Sequence, residues 1–225
     1  TLRPEDVPPL VRLRVVEDDF AESAGLAGMS EDLLDSPAAI GRLWRDFMWE
    51  REIVVTADDT SSPNGLPVTF NWQLLRGDPE RVTIKPQGPD GRTAKIRIAW
   101  HDPWTEISLG EKGPIERQFS RVDIGVFANN GVHDSAPSFI SIDFPEHQIR
   151  KYSAEPDGEM RLLSIDYDAK GRGAYFDPLL YWTANWTDRA RYDSSGELVG
   201  WDRTNEDGAA TGFVPYGADM ETPFQ

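Results

Sequence analysis

The sequence predicts a mainly β protein: an antiparallel β-sandwich with one N-terminal helical insertion and a C-terminal β-hairpin extension. Apolar and polar residues alternate with period two over 68–75, which is the pattern of a half-buried strand. Short apolar runs separated by Gly, Pro, Asn and Asp follow one another between residues 53 and 144, as in sandwiches. We divide the chain into an N-terminal strand and helix unit (1–51), the sandwich (52–145), and the hairpin extension with an irregular tail (146–225).

The N-terminal unit is predicted to contain one strand and one main helix. Apolar residues alternate with arginine from Val11 to Val15, which indicates a strand. Ser36 and Pro37 have the order of a helix cap and a first-turn proline. The apolar residues that follow have helical spacing and predict a helix over 37–48: Ile40, Leu43, Trp44 and Phe47. A shorter helix is predicted to begin after Ser30.

The central region is predicted to be entirely β. Trp72 lies in the middle of the alternating run and is expected between the two sheets. Further strands are predicted at 81–85, 94–100, 122–128 and 138–144. The run from Ala99 to Gly113 is predicted to be a longer loop that carries two tryptophans and a histidine.

Residues 52–144 resemble the polycystic-kidney-disease (PKD) type of immunoglobulin-like domain. The resemblance rests on the segment Ser61 to Trp72 (SSPNGLPVTFNW), on the run Val122 to Gly131, and on Ser135 to Ile142 as a closing strand. Asn64 stands where the family usually has Asp. The resemblance implies a sandwich that serves as a non-catalytic spacer or interaction module in exported, multi-domain proteins.

The C-terminal region is predicted to consist of strands and hairpins. Residues 160–167 have the pattern of a strand. Ala190–Tyr192 and Leu198–Trp201 flank a Ser-Ser-Gly turn and predict a hairpin. The segment from Tyr192 to Leu198 resembles one unit of the tyrosine–aspartate hairpin repeats of large bacterial exported proteins.

Charge and composition exclude several classes of function. With 39 acidic and 23 basic residues, the net charge is −16, which disfavours nucleic acid and anionic lipid as partners. The absence of cysteine excludes thiol catalysis and cysteine-based metal centres. No run of about 20 apolar residues predicts a transmembrane segment. The sequence contains no P-loop, dinucleotide fingerprint or Gly-x-Ser-x-Gly elbow.

Tryptophans and His-Asp pairs in loop-like sequence are the candidate binding residues. Flat aromatic residues in the loops of a sandwich can stack on sugars or anchor a protein partner, although core packing explains them as well. The two His-Asp pairs could form a metal or hydrolase site if their loops met, but turns use the same residues. The candidate residues are Trp100, His101, Asp102, Trp104, His133, Asp134, Trp182 and Trp186.

Calcium is the one ion that the sequence suggests. Asp166, Asp168, Gly171 and Asp177 match positions 1, 3, 6 and 12 of an EF-hand loop. Lys170 at position 5 opposes a cation, and a tight turn accounts for the same residues. No other cofactor is predicted.

These observations predict a non-catalytic structural or interaction module that binds a protein subunit or a glycan through its loops. The family resemblance implies an extracellular, periplasmic or cell-envelope location. Two alternatives remain at this point. One is a polysaccharide-active hydrolase that uses Asp102, Asp134 or His101, and the other is a calcium-stabilised structural domain that uses Asp166, Asp168 and Asp177.

Overall fold

A computed structural model describes residues 3, 7–25, 28–110, 113–167, 186–205 and 207–216. The described residues form sixteen strands and no helix, so the predicted mainly β character is confirmed. The strands are β1 Arg14–Asp18, β2 Asp32–Asp35, β3 Ala39–Leu43, β4 Glu50–Thr56, β5 Thr69–Arg76, β6 Val82–Gln87, β7 Thr93–Ala99, β8 Trp104–Gly110, β9 Gly113–Phe119, β10 Arg121–Asn129, β11 Ser138–Asp143, β12 Ile149–Ala154, β13 Met160–Asp166, β14 Trp186–Tyr192, β15 Leu198–Asn205 and β16 Ala210–Pro215.

Two sheets share the main hydrophobic core. The first has the order β1-β4-β7-β6, and the second has the order β2-β3-β11-β10-β5. Inward-pointing residues of both sheets are fully buried in one cluster, including Ile53 and Ile96 from the first and Ile124 and Ile140 from the second. The two sheets therefore bury their apolar faces against each other, which is how antiparallel sheets with one solvated face are stabilised.

Trp72 is buried, as its place in the alternating run predicts. The residues of β5 alternate between buried or half-buried and exposed, and Trp72 is the most buried of them. Its indole Nε1 donates a hydrogen bond of 2.7 Å to the carbonyl oxygen of Gly91. This bond satisfies the polar end of a large side chain that is otherwise in the core.

The predicted helix over 37–48 is wrong. Residues Ala39–Leu43 form β3, which pairs in parallel with β11, so that Ile40 lies opposite Ile140. The Oγ of Ser36 accepts a 3.0 Å hydrogen bond from the Ala39 N–H, as the side chain of a helix N-cap would. Here the bond closes a turn before β3 rather than the first turn of a helix. A twelve-residue helix is marginal by itself, and the backbone pairing with β11 offers the segment a buried alternative.

The shorter helix predicted after Ser30 is also wrong, because this segment forms β2. Glu31, expected near a helix N-terminus, is instead fully buried. Its carboxylate accepts hydrogen bonds from the backbone N–H groups of Ala21 (2.9 Å), Arg45 (2.7 Å) and Asp46 (2.8 Å), and it pairs with Arg51. Glu31 thus ties the N-terminal segment to the loop that precedes β4.

A third sheet forms the C-terminal region, with the order β12-β13-β14-β15-β16. The predicted hairpin is confirmed as β14 and β15, whereas the predicted irregular tail contains β16, which pairs with β15. One face of this sheet has its own core, centred on Trp201. The ring of Trp201 lies 4.8 Å from the ring of Phe47, so the loop between β3 and β4 contacts this sheet.

Within the described residues, no helix is long and apolar enough to cross a membrane.

Candidate interaction surface

Strands β8 and β9 form a two-stranded ribbon where the sequence predicts a loop, so the loop prediction for 99–113 is wrong. The ribbon is in regular antiparallel register from the pair Trp104 and Phe119 to the pair Gly110 and Gly113. These two strands pair with each other only and belong to none of the three larger sheets. They make little contact with any other strand. The ribbon therefore projects from the sandwich.

Aromatic contacts hold the root of the ribbon. The ring of Trp104 lies 5.8 Å from the ring of His101 and 6.1 Å from the ring of Phe119. The guanidinium of Arg76, on β5, lies 4.3 Å from the centre of the Phe119 ring. Trp104 also donates a 2.8 Å hydrogen bond from its indole nitrogen to Glu106. These contacts fix where the ribbon leaves the sandwich.

The outer part of the ribbon exposes aliphatic side chains. Ile107 is 70% exposed and Leu109 is 92% exposed. Because they are two residues apart on one strand, they lie on the same face, where Pro114 is opposite Leu109. We call Ile107, Leu109 and Pro114 the ribbon tip. A two-stranded hairpin without packing is only marginally stable in water, so a ribbon with an apolar tip is a surface suited to a partner.

His101 is part of the scaffold at the root. Its Nδ1 lies 2.8 Å from the carbonyl oxygen of Ala99 and its Nε2 lies 3.0 Å from the backbone nitrogen of Asp78. Nδ1 must donate and Nε2 must accept, which requires the neutral ring. Burial lowers the pKa of His101, which favours the same form. With both nitrogens engaged, His101 has none free for a metal or a substrate.

Trp100 and Asp102 join the sandwich to the C-terminal sheet. Trp100 is fully buried and donates a 2.7 Å hydrogen bond from Nε1 to Asp102. Asp102 also accepts a 3.1 Å hydrogen bond from the backbone N–H of Arg150, whose guanidinium lies 3.8 Å from the centre of the Trp100 ring. That ring is therefore covered and cannot stack on a ligand.

His133 and Asp134 lie at the opposite end of the sandwich from His101. The His101 ring is 5.2 Å from the ring of Phe144, which directly follows the end of β11. His133 lies in the loop between the end of β10 and the start of β11. The nine residues of β10 separate the two ends by roughly 25 Å. The two His-Asp pairs therefore do not meet, and no group of three His, Asp or Glu side chains among the described residues is placed to hold a metal.

Trp186 is in a strand rather than a loop. It is the first residue of β14, is 7% exposed, and has the guanidinium of Arg203 3.7 Å from its ring centre.

Among the predicted calcium ligands, Asp166 is the last residue of β13. Trp182, Asp168 and Asp177 lie outside the described residues, so calcium binding by this segment stays a prediction.

Asp143 is a perturbed carboxyl that the sequence does not single out. It lies on the outer face of β11, opposite Arg121. Its carboxylate accepts no hydrogen bond from another described residue. Burial raises the pKa of Asp143 to about 6; Arg121 opposes this rise, and Asp123 and Glu146 add to it.

The Asp143→Asn variant is expected to be more stable than the wild type at neutral pH. Since the folded-state pKa lies above the ordinary value of 3.8, wild-type stability is lost as the pH rises from about 4 to about 6. The amide removes this loss, so we expect the free energy of unfolding to rise by roughly 1 to 3 kcal/mol at pH 7.5 and to change little at pH 4. Urea denaturation at both pH values measures the difference, with the exposed Asp207→Asn as control. An equal effect of Asp143→Asn at the two pH values would contradict the assignment.

Comparisons with protein-family models, with curated proteins and with solved structures found no match to this chain.

Proposed function

We propose that this protein is a non-catalytic interaction module of an exported or envelope-associated protein and that it binds a protein partner through the ribbon tip. The observation that carries the proposal is the projecting β8–β9 ribbon, on which Leu109 is almost completely exposed. Aliphatic side chains of this kind stabilise a protein contact when they are removed from water. The free energy gained is about 25 cal/mol per Å² of apolar surface buried.

The strand order supports an immunoglobulin-like scaffold. The first sheet, β1-β4-β7-β6, follows the A-B-E-D order of such sandwiches, and the neighbours β11-β10-β5 follow the G-F-C order. In this correspondence β7, β10 and β11 are the fifth, sixth and seventh strands. The ribbon is then an insertion between β7 and β10, and β3 is an additional strand that pairs with β11. A module of this type presents its binding elements at the ends of a rigid sandwich.

The chemistry of the ribbon favours a protein over a glycan at this place. Its two aromatic rings, Trp104 and Phe119, are engaged at the root, and the tip is aliphatic. Sugar rings stack on flat aromatic faces rather than on leucine and isoleucine. Both outer edges of the two-stranded ribbon also have main-chain groups that no other described strand pairs, and an extended partner segment could pair with them.

The double variant Ile107→Ser with Leu109→Ser is expected to lose the partner. Removing two apolar anchors from the centre of a contact is expected to weaken binding by about thirtyfold or more, which corresponds to a combined loss of about 2 kcal/mol or more. The measurement has two steps. Tagged chain is cross-linked in its source cells to identify the partner, and the purified pair is then titrated by calorimetry.

The matched control is the double variant Leu10→Ser with Val132→Ser. These residues are 58% and 59% exposed and lie away from the ribbon. The control is expected to bind within twofold of the wild type. Unchanged affinity of the ribbon-tip variant would overturn the assignment of the surface, and polysaccharide turnover by the purified chain would overturn the non-catalytic assignment.

A further inference from the structure

A wide groove crosses the face of the C-terminal sheet that carries exposed charged side chains. It encloses about 810 Å³ and runs over β12, β13, β14 and β15. The opposite face of the same sheet carries the buried Trp201 and Trp186. We call this feature the basic groove, and the residues that matter for its chemistry are Lys151, Arg161, Ser164, Thr187, Arg189 and Thr204.

Two cations and a hydroxyl form a row across three strands of the groove. Lys151 is opposite Ser164, and Ser164 is opposite Arg189. Because neighbouring strands are about 4.8 Å apart, the Cα atoms of Lys151 and Arg189 are roughly 10 Å apart, with Ser164 between them. The long side chains of lysine and arginine can close this distance around one anionic group.

The one carboxylate that lies directly opposite these cations in the row, Asp202 across from Arg189, is bound by Arg191 instead. Lys151 and Arg189 are both exposed, and neither forms a hydrogen bond or ion pair within the described part of the chain. The carboxylates that line the groove are already paired, Glu155 with Arg161 at 3.6 Å and Asp202 with Arg191. In a protein of net charge −16, two neighbouring unpaired cations in one groove are a local exception.

We propose that the basic groove binds an acidic polysaccharide, whose carboxylate or sulfate group is held by Lys151, Ser164 and Arg189. Hydrogen bonds between such anions and ammonium or guanidinium groups are about twice as strong as neutral ones. The overall negative charge does not prevent this binding, because ions screen exposed charges beyond about 8 Å at physiological salt.

The lining of the groove favours a sugar chain over an acidic peptide. Hydroxyl groups of Ser164, Thr187 and Thr204 line the floor and can exchange hydrogen bonds with sugar hydroxyls. Strands β13, β14 and β15 are each paired on both sides, so a peptide backbone could pair only with the outer edge of β12 and not along the middle of the groove. This surface is separate from the ribbon tip, and either site can exist without the other.

The test uses the full chain at 150 mM salt with four probes: oligogalacturonate, dextran sulfate, neutral dextran and poly-glutamate. Calorimetry should detect binding of one of the two acidic glycans. Binding of oligogalacturonate would identify a carboxylate as the recognised group, and binding of dextran sulfate would identify a sulfate. Neutral dextran should not bind. The Lys151→Ala and Arg189→Ala double variant should bind at least about tenfold more weakly, which corresponds to the loss of one charge-assisted hydrogen bond.

The matched control is the double variant Arg14→Ala with Lys85→Ala. It removes the same charge from exposed residues of the first sheet, on β1 and β6, and should change the affinity by less than twofold. An equal loss in the control would overturn the site, because binding would then follow net charge alone. Failure of both acidic glycans to bind, or tighter binding of poly-glutamate than of either, would overturn the choice of ligand.

Discussion

The Glu31→Ala variant is expected to lose about 3 to 5 kcal/mol of the free energy of unfolding, since breaking a buried ion pair leaves an uncompensated charge. Glu31 is fully buried and pairs with Arg51, which is 3% exposed. Removing the carboxylate leaves that guanidinium beside the rings of Phe20 and Trp44, at 4.9 Å and 5.9 Å, with only a long contact of 3.9 Å to the half-exposed carboxylate of Asp19. It also leaves three backbone N–H groups without their acceptor. Guanidinium denaturation followed by tryptophan fluorescence measures the loss.

Glu50→Ala is the control for this experiment. Glu50 is exposed, and its carboxylate lies 3.5 Å from the guanidinium of Arg97 on the solvated face of the first sheet. An exposed pair contributes about 1 kcal/mol or less. If Glu31→Ala were no more damaging than Glu50→Ala, Glu31 would not be the anchor of the N-terminal segment.

The Trp44→Ala variant is also expected to lose about 3 to 5 kcal/mol, as for other buried aromatic residues. Trp44 is fully buried, stacks on Phe144 at 5.1 Å, and makes edge contacts with Trp100 and Phe20 at 6.1 Å each. Alanine would leave a cavity lined by these three rings. The change in melting temperature and in the denaturation midpoint measures the effect.

Trp44→Phe is the matched variant, and its loss is expected to be less than half as large. Phenylalanine keeps a ring against Phe144 and removes an indole N–H that has no hydrogen-bond partner among the described residues. Equal losses for the two variants would indicate that the contact depends on the indole itself rather than on the filled volume.

Local sequence patterns predicted the strands of the sandwich but not the elements that long-range pairing decides. In β5 and β10, apolar side chains with period two face the core, and the prediction was right. The segment 37–48 has apolar residues at helical spacing, yet β3 is extended because it pairs with β11. Trp44 is fully buried, but it directly follows a strand and is not part of a helix.

The ribbon could have been found from its own sequence. Glu106 to Leu109 alternates polar and aliphatic residues, and only two residues separate Gly110 from Gly113, which is the spacing of a tight hairpin. The glycines and prolines of this run are equally typical of a loop. That Ile107 and Leu109 face solvent could not be predicted, because alternating aliphatic residues in a β protein normally face the core.

The two candidate surfaces differ in how much the sequence reveals. Trp104 at the ribbon root was among the predicted binding residues, whereas the ribbon tip was not. Lys151 and Arg189 are far apart in the chain, and only the sheet register brings them into one row with Ser164. Single charged residues on separate strands give no local signal.

The parallel pairing of β3 with β11 has a consequence for biosynthesis. Ile40 can pair with Ile140 only after the ribosome has added one hundred further residues. At roughly 5 to 20 residues per second, β3 emerges about 5 to 20 seconds before its partner strand exists. In that interval β3 has only β2 as a native strand neighbour, and the sandwich cannot close. Closure of the sandwich should therefore be late and should benefit from a chaperone that shields β3 until β11 has been synthesised.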